Sequence, residues 1–272
     1  NKWLGMAGQD AFNLGPSVIE FGDQRWLRAY GSFGSPNSLG IYLAVLFVLG
    51  LILYLKIESS RIKILISVGQ LFILSGLLVS FPRGAWLASV IGVLSLLIVI
   101  LTNCYSEQSE ESLSNTKNLV RQRSFTAFRI TALKEFAKQT VFAMVVIIFW
   151  LVIFYPVFTA RFNLSNRLEA KSISERQGQY AEALSFVKSN PIFGVGPGAY
   201  TYSLYKKYQT LPSWQYQPIH NIYLLTFVEF GFAGIILLFF IFRHLILQIL
   251  KNNLIYLPVI LTLFFAGLFD HW

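Results

Sequence analysis

The chain has 272 residues and a formal net charge of +9; 55% of its residues are hydrophobic, 16% are aromatic and only 13% are charged. Its mean hydropathy of +0.57 excludes an ordinary soluble domain and indicates an integral membrane protein. The basic residues are dispersed and form no stripe on one domain, so the positive charge does not indicate a nucleic-acid partner.

Six apolar segments are each long enough to cross a bilayer, which takes about 20 helical residues. They lie at 38–55, 64–81, 84–101, 139–158, 220–241 and 254–272. The alternation typical of a membrane barrel is absent, so the spans are predicted to be helices. The predicted fold class is therefore all-α, a polytopic transmembrane helical bundle that forms one membrane domain over 1–272. Because the chain starts with Asn1 and stops inside an apolar segment, we expect a fragment of a longer protein.

The orientation follows from the short connections between spans. The connection KIESSRIK at 56–63 carries three basic residues, whereas the next connection offers only Arg83. The positive-inside bias places the first connection in the cytoplasm. The bundle then has a cytoplasmic loop at 102–138 and a large extracytoplasmic loop at 159–219.

An amphipathic helix is predicted within the cytoplasmic loop, at 118–138. Its apolar face carries Phe125, Phe128, Leu133 and Phe136, with basic residues opposite. Such a helix lies on an anionic leaflet, so membrane lipids are its expected partner.

The sequence offers no candidate metal site. The single cysteine, Cys104, excludes an internal disulfide framework and a thiolate cluster. The three histidines have no histidine or carboxylate at metal-ligand spacing, and no Asp-x-Asp pair occurs. We therefore expect no metal and no other cofactor.

The element SFPRGAW at 80–86 contains the first candidate site residue. Pro82 suits the first turn of a helix, which places Arg83 at the extracytoplasmic N-terminus of the third span. A helix N-terminus with a guanidinium group can bind phosphate oxygens. An interfacial arginine that reaches for lipid phosphate is an equally good interpretation.

Arg176 is the second candidate, on a helix predicted over 175–188 with Ser174 as its N-cap. The predicted apolar face consists of Tyr180, Leu184 and Val187. Arg176 lies four residues before Tyr180, so it should point into the protein and meet an anion there. That anion is either a carboxylate such as Glu169 or a substrate.

The segment that follows, NPIFGVGPG at 190–198, predicts a turn rather than a phosphate loop. Gly194, Gly196 and Gly198 suit backbone with positive φ, and no Lys-Ser/Thr pair follows them.

His220 is predicted to open the fifth span. The positive end of a helix opposes protonation, so a neutral imidazole there can act as a general base. A histidine hydrogen-bonded at the interface is the alternative. Glu229, nine residues later, lies about 13 Å further along a helix and on its opposite side, so we assign it a structural role.

Several segments together resemble the O-antigen ligase and O-antigen polymerase family, polytopic type C glycosyltransferases of the bacterial inner membrane. The resemblance is carried, in order, by RAYGSFGSPNSLGIYL at 28–43, FPRGAWL at 81–87, SERQGQYAEALSFVKSNPIFGVGPGAY at 174–200, PIHNIYLLTFVEFGFAG at 218–234 and FDHW at 269–272.

The resemblance implies an undecaprenyl-pyrophosphate-linked glycan donor and an acceptor hydroxyl on a lipid or glycan. It also implies transfer with inversion, without a metal, at the extracytoplasmic face of the bacterial cytoplasmic membrane. The family's functional residues map onto Arg83, Arg176 and His220, as catalytic residues, the two arginines also binding substrate. The other matching positions, which are second-tier candidates for substrate binding, are Arg28, Asn37, Asn221, Asp270 and His271.

Two other functions stay open. A solute or anion transporter could use the intramembrane Glu229, although no inverted repeat is evident. A non-catalytic scaffold for polysaccharide export is the other. Polymerase and ligase are not separated by these residues.

Overall fold

The computed structural model describes residues 17–109, 118–163, 167–211 and 215–270. Its elements run in this order: β1 (Val18–Phe21), β2 (Gln24–Leu27), α1 (Pro36–Lys56), α2 (Ser60–Val79), α3 (Arg83–Ser109), α4 (Asn118–Ile153), α5 (Tyr155–Phe162), α6 (Arg167–Ser189), α7 (Tyr200–Lys207), α8 (Ile222–Asn252), a 3₁₀ turn (Leu254–Tyr256) and α9 (Leu257–Gly267). The predicted helical class is confirmed.

The bundle core lies between α1, α2, α3, α4 and α9. Its fully buried side chains include Val48, Ile52, Leu77 and Leu96. The same helices also expose large apolar side chains on the outside, such as Phe72 and Val152. Helices that are apolar on every side are typical of membrane spans.

Five helices in the described part of the chain are long and apolar enough to span a membrane: Pro36–Lys56, Ser60–Val79, Arg83–Thr102, Ile130–Ile153 and Ile222–Lys251. The sixth predicted span, 254–272, holds a shorter apolar helix, Leu254–Gly267. This segment ends early because the chain turns after Gly267, where the backbone N–H groups of Leu268 and Phe269 donate back to Phe265 and Ala266.

The polar connections gather at the two ends of the bundle. At one end, the Lys63 ammonium lies 3.1 Å from the Glu135 carboxylate, and the Lys56 ammonium donates to the Tyr256 hydroxyl at 3.0 Å. The opposite end, where α1 and α3 begin, carries the hairpin and α5 to α7. We call it the site end.

A hairpin precedes α1 that was not predicted from the sequence. β1 and β2 pair antiparallel, with Ile19 opposite Trp26 and a turn at Gly22, whose φ is +55°. The Trp26 ring lies edge-on to Phe154, with 4.9 Å between ring centroids. The hairpin therefore caps the site end of α4 and α5.

The region 102–138 is helical over most of its described length, because α3 continues to Ser109 and α4 begins at Asn118. The predicted amphipathic helix is thus continuous with the fourth span, which ends at Ile153 instead of residue 158. Its location on the lipid surface stays a prediction, and the side chains of 118–129 lie outside the described residues.

The helix predicted at 175–188 is longer than expected. α6 begins at Arg167, so Ser174 lies inside the helix and the prediction of an N-cap there was wrong. Its buried residues include Ala183 and Val187, while Leu184 is half exposed and does not belong to the buried face. This face packs on Tyr200 of α7 and Val228 of α8.

The glycine turn has the predicted backbone, since φ is +69° at Gly194, +108° at Gly196 and +67° at Gly198. Glu229 has the structural role assigned to it. Its carboxylate accepts hydrogen bonds from the backbone N–H groups of Gly198, at 3.0 Å, and Tyr200, at 3.4 Å.

Candidate active site at the site end of the bundle

Arg83 stands where the sequence predicted, at the first residue of α3. It follows Phe81, whose φ of +51° is strained for a residue with a side chain. This conformation turns the Phe81 carbonyl toward two arginines, and Arg28 and Arg161 both donate to it at 3.2 Å. The FPRGAW element therefore brings Arg28 and Arg161 to one carbonyl, two residues before Arg83.

Glu169 joins Arg83 to Arg161. The carboxylate is almost completely buried, at 3% exposure. One of its oxygens lies 2.7 Å from the Arg83 guanidinium, and the other accepts a hydrogen bond from Arg161. Arg83 also donates to the Arg161 backbone carbonyl at 3.2 Å, so α3, α5 and α6 are locked together at this point.

The buried Arg28 side chain lies next to this network. Its guanidinium donates to the Ser80 carbonyl at 2.8 Å, to the Asn37 side-chain oxygen at 2.6 Å and to the Ser17 hydroxyl at 3.0 Å. Burial, together with the nearby Arg161, lowers the pKa of Arg28 from its ordinary value to about 9. Since that is above neutral pH, Arg28 remains charged at pH 7.

Arg161 is held in a similar environment. Burial lowers its pKa, the Glu169 carboxylate opposes that shift, and the neighbouring Arg83 and Arg176 reinforce it. Arg161 thus lies close enough to Arg28, Arg83 and Arg176 for mutual repulsion, and Glu169 lies between Arg83 and Arg161.

Two anions were expected for Arg176, a carboxylate such as Glu169 or a substrate, and Glu169 is not its partner in the structure. Glu169 contacts Arg83 and Arg161 instead, because it lies at the start of α6, two turns before Arg176. Among the described residues, no carboxylate forms an ion pair with Arg176. Its side chain lines a cleft beside Arg83 and Arg161.

The cleft brings the predicted residues together. It is lined by Asn37, Ile41, Pro82, Arg83, Gly84, Ala85, Arg161, Arg176, Phe269 and Asp270. Its volume is about 30 Å³. The cleft is therefore narrow.

His220 joins the cleft through Asp270. Its Nδ1 atom lies 2.8 Å from Oδ1 of Asp270, which is buried at 4% exposure. The helix begins at Ile222, so His220 precedes the N-cap residue Asn221 instead of opening the span as predicted. The carboxylate of Asp270, more than the helix N-terminus, therefore sets the orientation of the ring.

Asn221 has its side chain engaged at the start of α8. Its oxygen accepts from the backbone N–H groups of Tyr223 and Leu224, both at 3.0 Å, and its amide donates to the Leu268 carbonyl at 3.3 Å. It ties α8 to the turn that carries Asp270. His271, the remaining predicted binding residue, lies outside the described residues.

Arg161 and Glu169 are the site residues that sequence reasoning did not identify. Arg161 is one of several arginines in the segments predicted to be extracytoplasmic, and Glu169 was considered only as a partner for Arg176. The nearest signal was that Glu169 is an acidic residue in the first turn of a helix directly after an arginine-rich stretch, RFNLSNR at 161–167.

The fold and the site define a polytopic membrane protein whose arginines and histidine–aspartate pair meet at one end of the bundle. Residues 33–239, well over half of the chain, match the family model described as O-antigen ligase, and the chain belongs to this family. Membership of this family indicates glycosyl transfer of the O-antigen ligase and polymerase type, which is a step of polysaccharide biosynthesis. No curated protein and no solved structure matches the chain.

Proposed function

We propose that the protein is a metal-independent, inverting glycosyltransferase of the bacterial cytoplasmic membrane. It moves a glycan from an undecaprenyl-pyrophosphate-linked donor to an acceptor hydroxyl on a lipid or on another glycan. The chain acts as one membrane domain, with the site end and the loop 159–219 on the extracytoplasmic side.

The observation that carries this proposal is the charge of the cleft. Arg28, Arg83, Arg161 and Arg176 face only the carboxylates of Glu169 and Asp270, which leaves a formal excess of two positive charges among these described side chains. A pyrophosphate diester brings negative charge of the same size. Guanidinium groups bind phosphate oxygens in pairs and stay charged when buried.

In the proposed step, Arg83 and Arg176 bind the pyrophosphate. The acceptor oxygen attacks the anomeric carbon from the face opposite the pyrophosphate, a new C–O bond forms, and the bond from that carbon to the phosphate oxygen breaks. Undecaprenyl pyrophosphate leaves with the bonding electrons, and the arginines stabilise the charge that develops on it.

His220 takes the proton of the acceptor hydroxyl in this step. Asp270 accepts the Nδ1–H bond, which fixes the tautomer that carries its lone pair on Nε2. The imidazole can then act as a general base, while Asp270 stabilises the imidazolium that forms.

The remaining predicted residues shape the cleft. Asn37 lines it directly. Arg28, which does not line the cleft, adds positive potential and donates hydrogen bonds to the Asn37 side chain and the Phe81 carbonyl. Asn221 and His271 are assigned to substrate binding on the family resemblance.

The test is a transfer assay with the full chain in lipid, supplied with undecaprenyl-pyrophosphate-linked glycans and candidate acceptors, with products followed by gel and mass spectrometry. His220→Ala should lower the transfer rate by about 10² to 10⁴-fold. Arg83→Ala and Arg176→Ala should each cost about 10²-fold or more. His244→Ala is the matched control, because His244 is exposed on α8 near its far end.

Each outcome has a clear meaning. Transfer that depends on His220 but not on His244 supports the proposal, and a ladder of product lengths separates a polymerase from a ligase that adds one chain. If both arginine variants and His220→Ala keep near-normal transfer in folded protein, the site assignment is wrong. A complete lack of transfer, with solute flux across proteoliposomes, would favour the transporter.

A further inference from the structure

The helix α8 is broken inside its apolar segment. At Gly231 the backbone has φ 64° and ψ −156°, which is not helical. In an unbroken helix, the N–H groups of Phe232 and Ala233 would donate to the carbonyls of Val228 and Glu229. The break leaves these two donors and two acceptors without their helical partners.

The loop after α6 supplies a partner for each of these four groups. The Val195 N–H donates to the Val228 carbonyl and the Gly196 N–H to the Glu229 carbonyl, both at 2.9 Å. In return, the Phe232 N–H donates to the Pro191 carbonyl at 2.9 Å and the Ala233 N–H to the Ile192 carbonyl at 3.2 Å. The loop replaces both helical hydrogen bonds that the kink removes.

Two glycines allow the backbones to approach this closely. A Cβ atom added at Gly194 would lie 2.4 Å from the carbonyl carbon of Glu229, and one at Gly231 would lie 2.4 Å from that of Ile192. Both glycines have positive φ. The loop and the broken helix therefore pack this closely only with glycine at these two positions.

The position of the break sets the depth of the loop. From Ile222 to Phe242, Glu229 is the single ionisable acid or base apart from Tyr223, and Gly231 comes nine residues after Ile222. The span Ile222–Lys251 has 30 residues, about 45 Å of helix, so when it is centred on a hydrocarbon core of about 30 Å, Gly231 lies about 6 Å inside the core. Backbone inside the hydrocarbon must have its hydrogen bonds satisfied by protein, which is the condition that the loop meets.

The tip of the loop presents apolar side chains outward. Phe193 is 77% exposed and Ile192 is 61% exposed. They continue the exposed apolar surface of α8, which includes Phe230, Phe232 and Ile236. Glu229, the one carboxylate at this depth in α8, is directed to the N–H groups of Gly198 and Tyr200.

We infer that residues 191–195 form a re-entrant loop whose tip, Ile192 and Phe193, inserts into the acyl chains of the leaflet at the site end. The loop predicted to lie outside the membrane, 159–219, thus contacts the bilayer interior through residues near the middle of the loop. Because α6 ends at Ser189, this contact anchors the helix that carries Arg176 against the membrane surface. The inference does not depend on glycosyl transfer.

Site-directed spin labelling tests the depth of the tip. The lone Cys104 is replaced by alanine, and single cysteines are introduced as Phe193→Cys, Phe240→Cys and Gly178→Cys in the full chain, in phosphatidylcholine vesicles. Phe240 is an exposed residue of α8 and serves as the lipid-facing reference. Gly178 lies on the polar helix α6 with open space around it and serves as the aqueous reference.

The Phe193→Cys label should be more accessible to oxygen than to a water-soluble nickel chelate, with a depth parameter shifted toward that of the Phe240→Cys label. A depth parameter equal to that of the Gly178→Cys label would overturn the inference. Ile192→Cys provides the same measurement if Phe193→Cys does not fold, and a water-exposed label at that position likewise overturns it.

Discussion

The imidazole of His220 and the carboxylate of Asp270 are in direct contact, with 2.8 Å between Nδ1 and Oδ1, although fifty residues of chain separate them. The contact joins His220, which precedes the N-cap residue of α8, to the turn that follows α9. Asp270 also lines the arginine cleft, so it connects the histidine with the groups proposed to bind the donor.

Asp270→Asn should lower the rate constant for transfer by about 10²-fold or more, with a smaller change in the donor KM. An asparagine can present its amide N–H to Nδ1, which favours the tautomer with the proton on Nε2 and removes the base. The kinetics of transfer at several donor concentrations separate the two parameters. The pH profile should change with the rate constant, which a purely structural residue would not cause.

Asp23→Asn is the matched control for this change. Asp23 is exposed at the turn of the hairpin, so the same chemical change there should leave transfer and its pH profile as in the wild type. Equal rates for Asp270→Asn and the wild type would contradict the positioning role.

The sequence predicted the helical class and the approximate spans, because apolar length is a local signal. Arg83 and Arg176 do line one cleft, and His220 reaches it through Asp270. Glu169, one of the two anions expected for Arg176, pairs with other arginines, because ion pairing depends on which helix turn faces which. The sequence does not show that Glu169 is reached by Arg83 from α3 and Arg161 from α5.

The kink in α8 is a second feature that was not predicted from the sequence. Gly231 in an apolar helix is compatible with a continuous span, and the prediction of one helix over 220–241 followed from that. The break is stabilised by backbone groups of Pro191, Ile192, Val195 and Gly196, about forty residues earlier in the chain. Such a backbone exchange leaves a sequence signal only in the glycines that permit it.

Glu169→Ala should destabilise the protein by about 3 kcal/mol, because it leaves the mostly buried guanidinium group of Arg161 and the partly exposed one of Arg83 without their carboxylate. Thermal unfolding in nanodiscs measures the loss. Glu175→Ala on the same helix is the control, since Glu175 is exposed and its pairing with Lys171, at 3.7 Å, should contribute about 0–1 kcal/mol. Similar unfolding temperatures for the two variants would show that Glu169 does not stabilise the cluster.

Arg161→Ala should lower transfer by about 10²-fold, although Arg161 is not assigned to the donor itself, because it holds both Glu169 and the Phe81 carbonyl beside Arg83. Arg161→Lys should restore little activity, since an ammonium lacks the fork that bonds both groups. The transfer assay measures both variants.

Arg167→Ala serves as the comparison for Arg161. Arg167 also contacts a carboxylate, Glu20, at 3.0 Å, but its side chain is 67% exposed. An exposed ion pair contributes about 0–1 kcal/mol, so transfer should be unchanged. Equal losses for Arg161→Ala and Arg167→Ala would mean that general positive charge, and not the buried network, supports the reaction.

Gly84→Ala should reduce both stability and transfer. The added Cβ would lie 2.5 Å from Cβ of Phe269, the neighbour of Asp270, so α3 and the turn after α9 would have to separate. Overpacking of this kind costs about 1–3 kcal/mol. Gly69→Ala is the control, because a Cβ there meets nothing within 4 Å on the exposed side of α2 and alanine is the better helix former. Thermal unfolding and the transfer assay should therefore show a loss for Gly84→Ala and none for Gly69→Ala, whereas full activity of Gly84→Ala would show that Asp270 does not depend on this close approach.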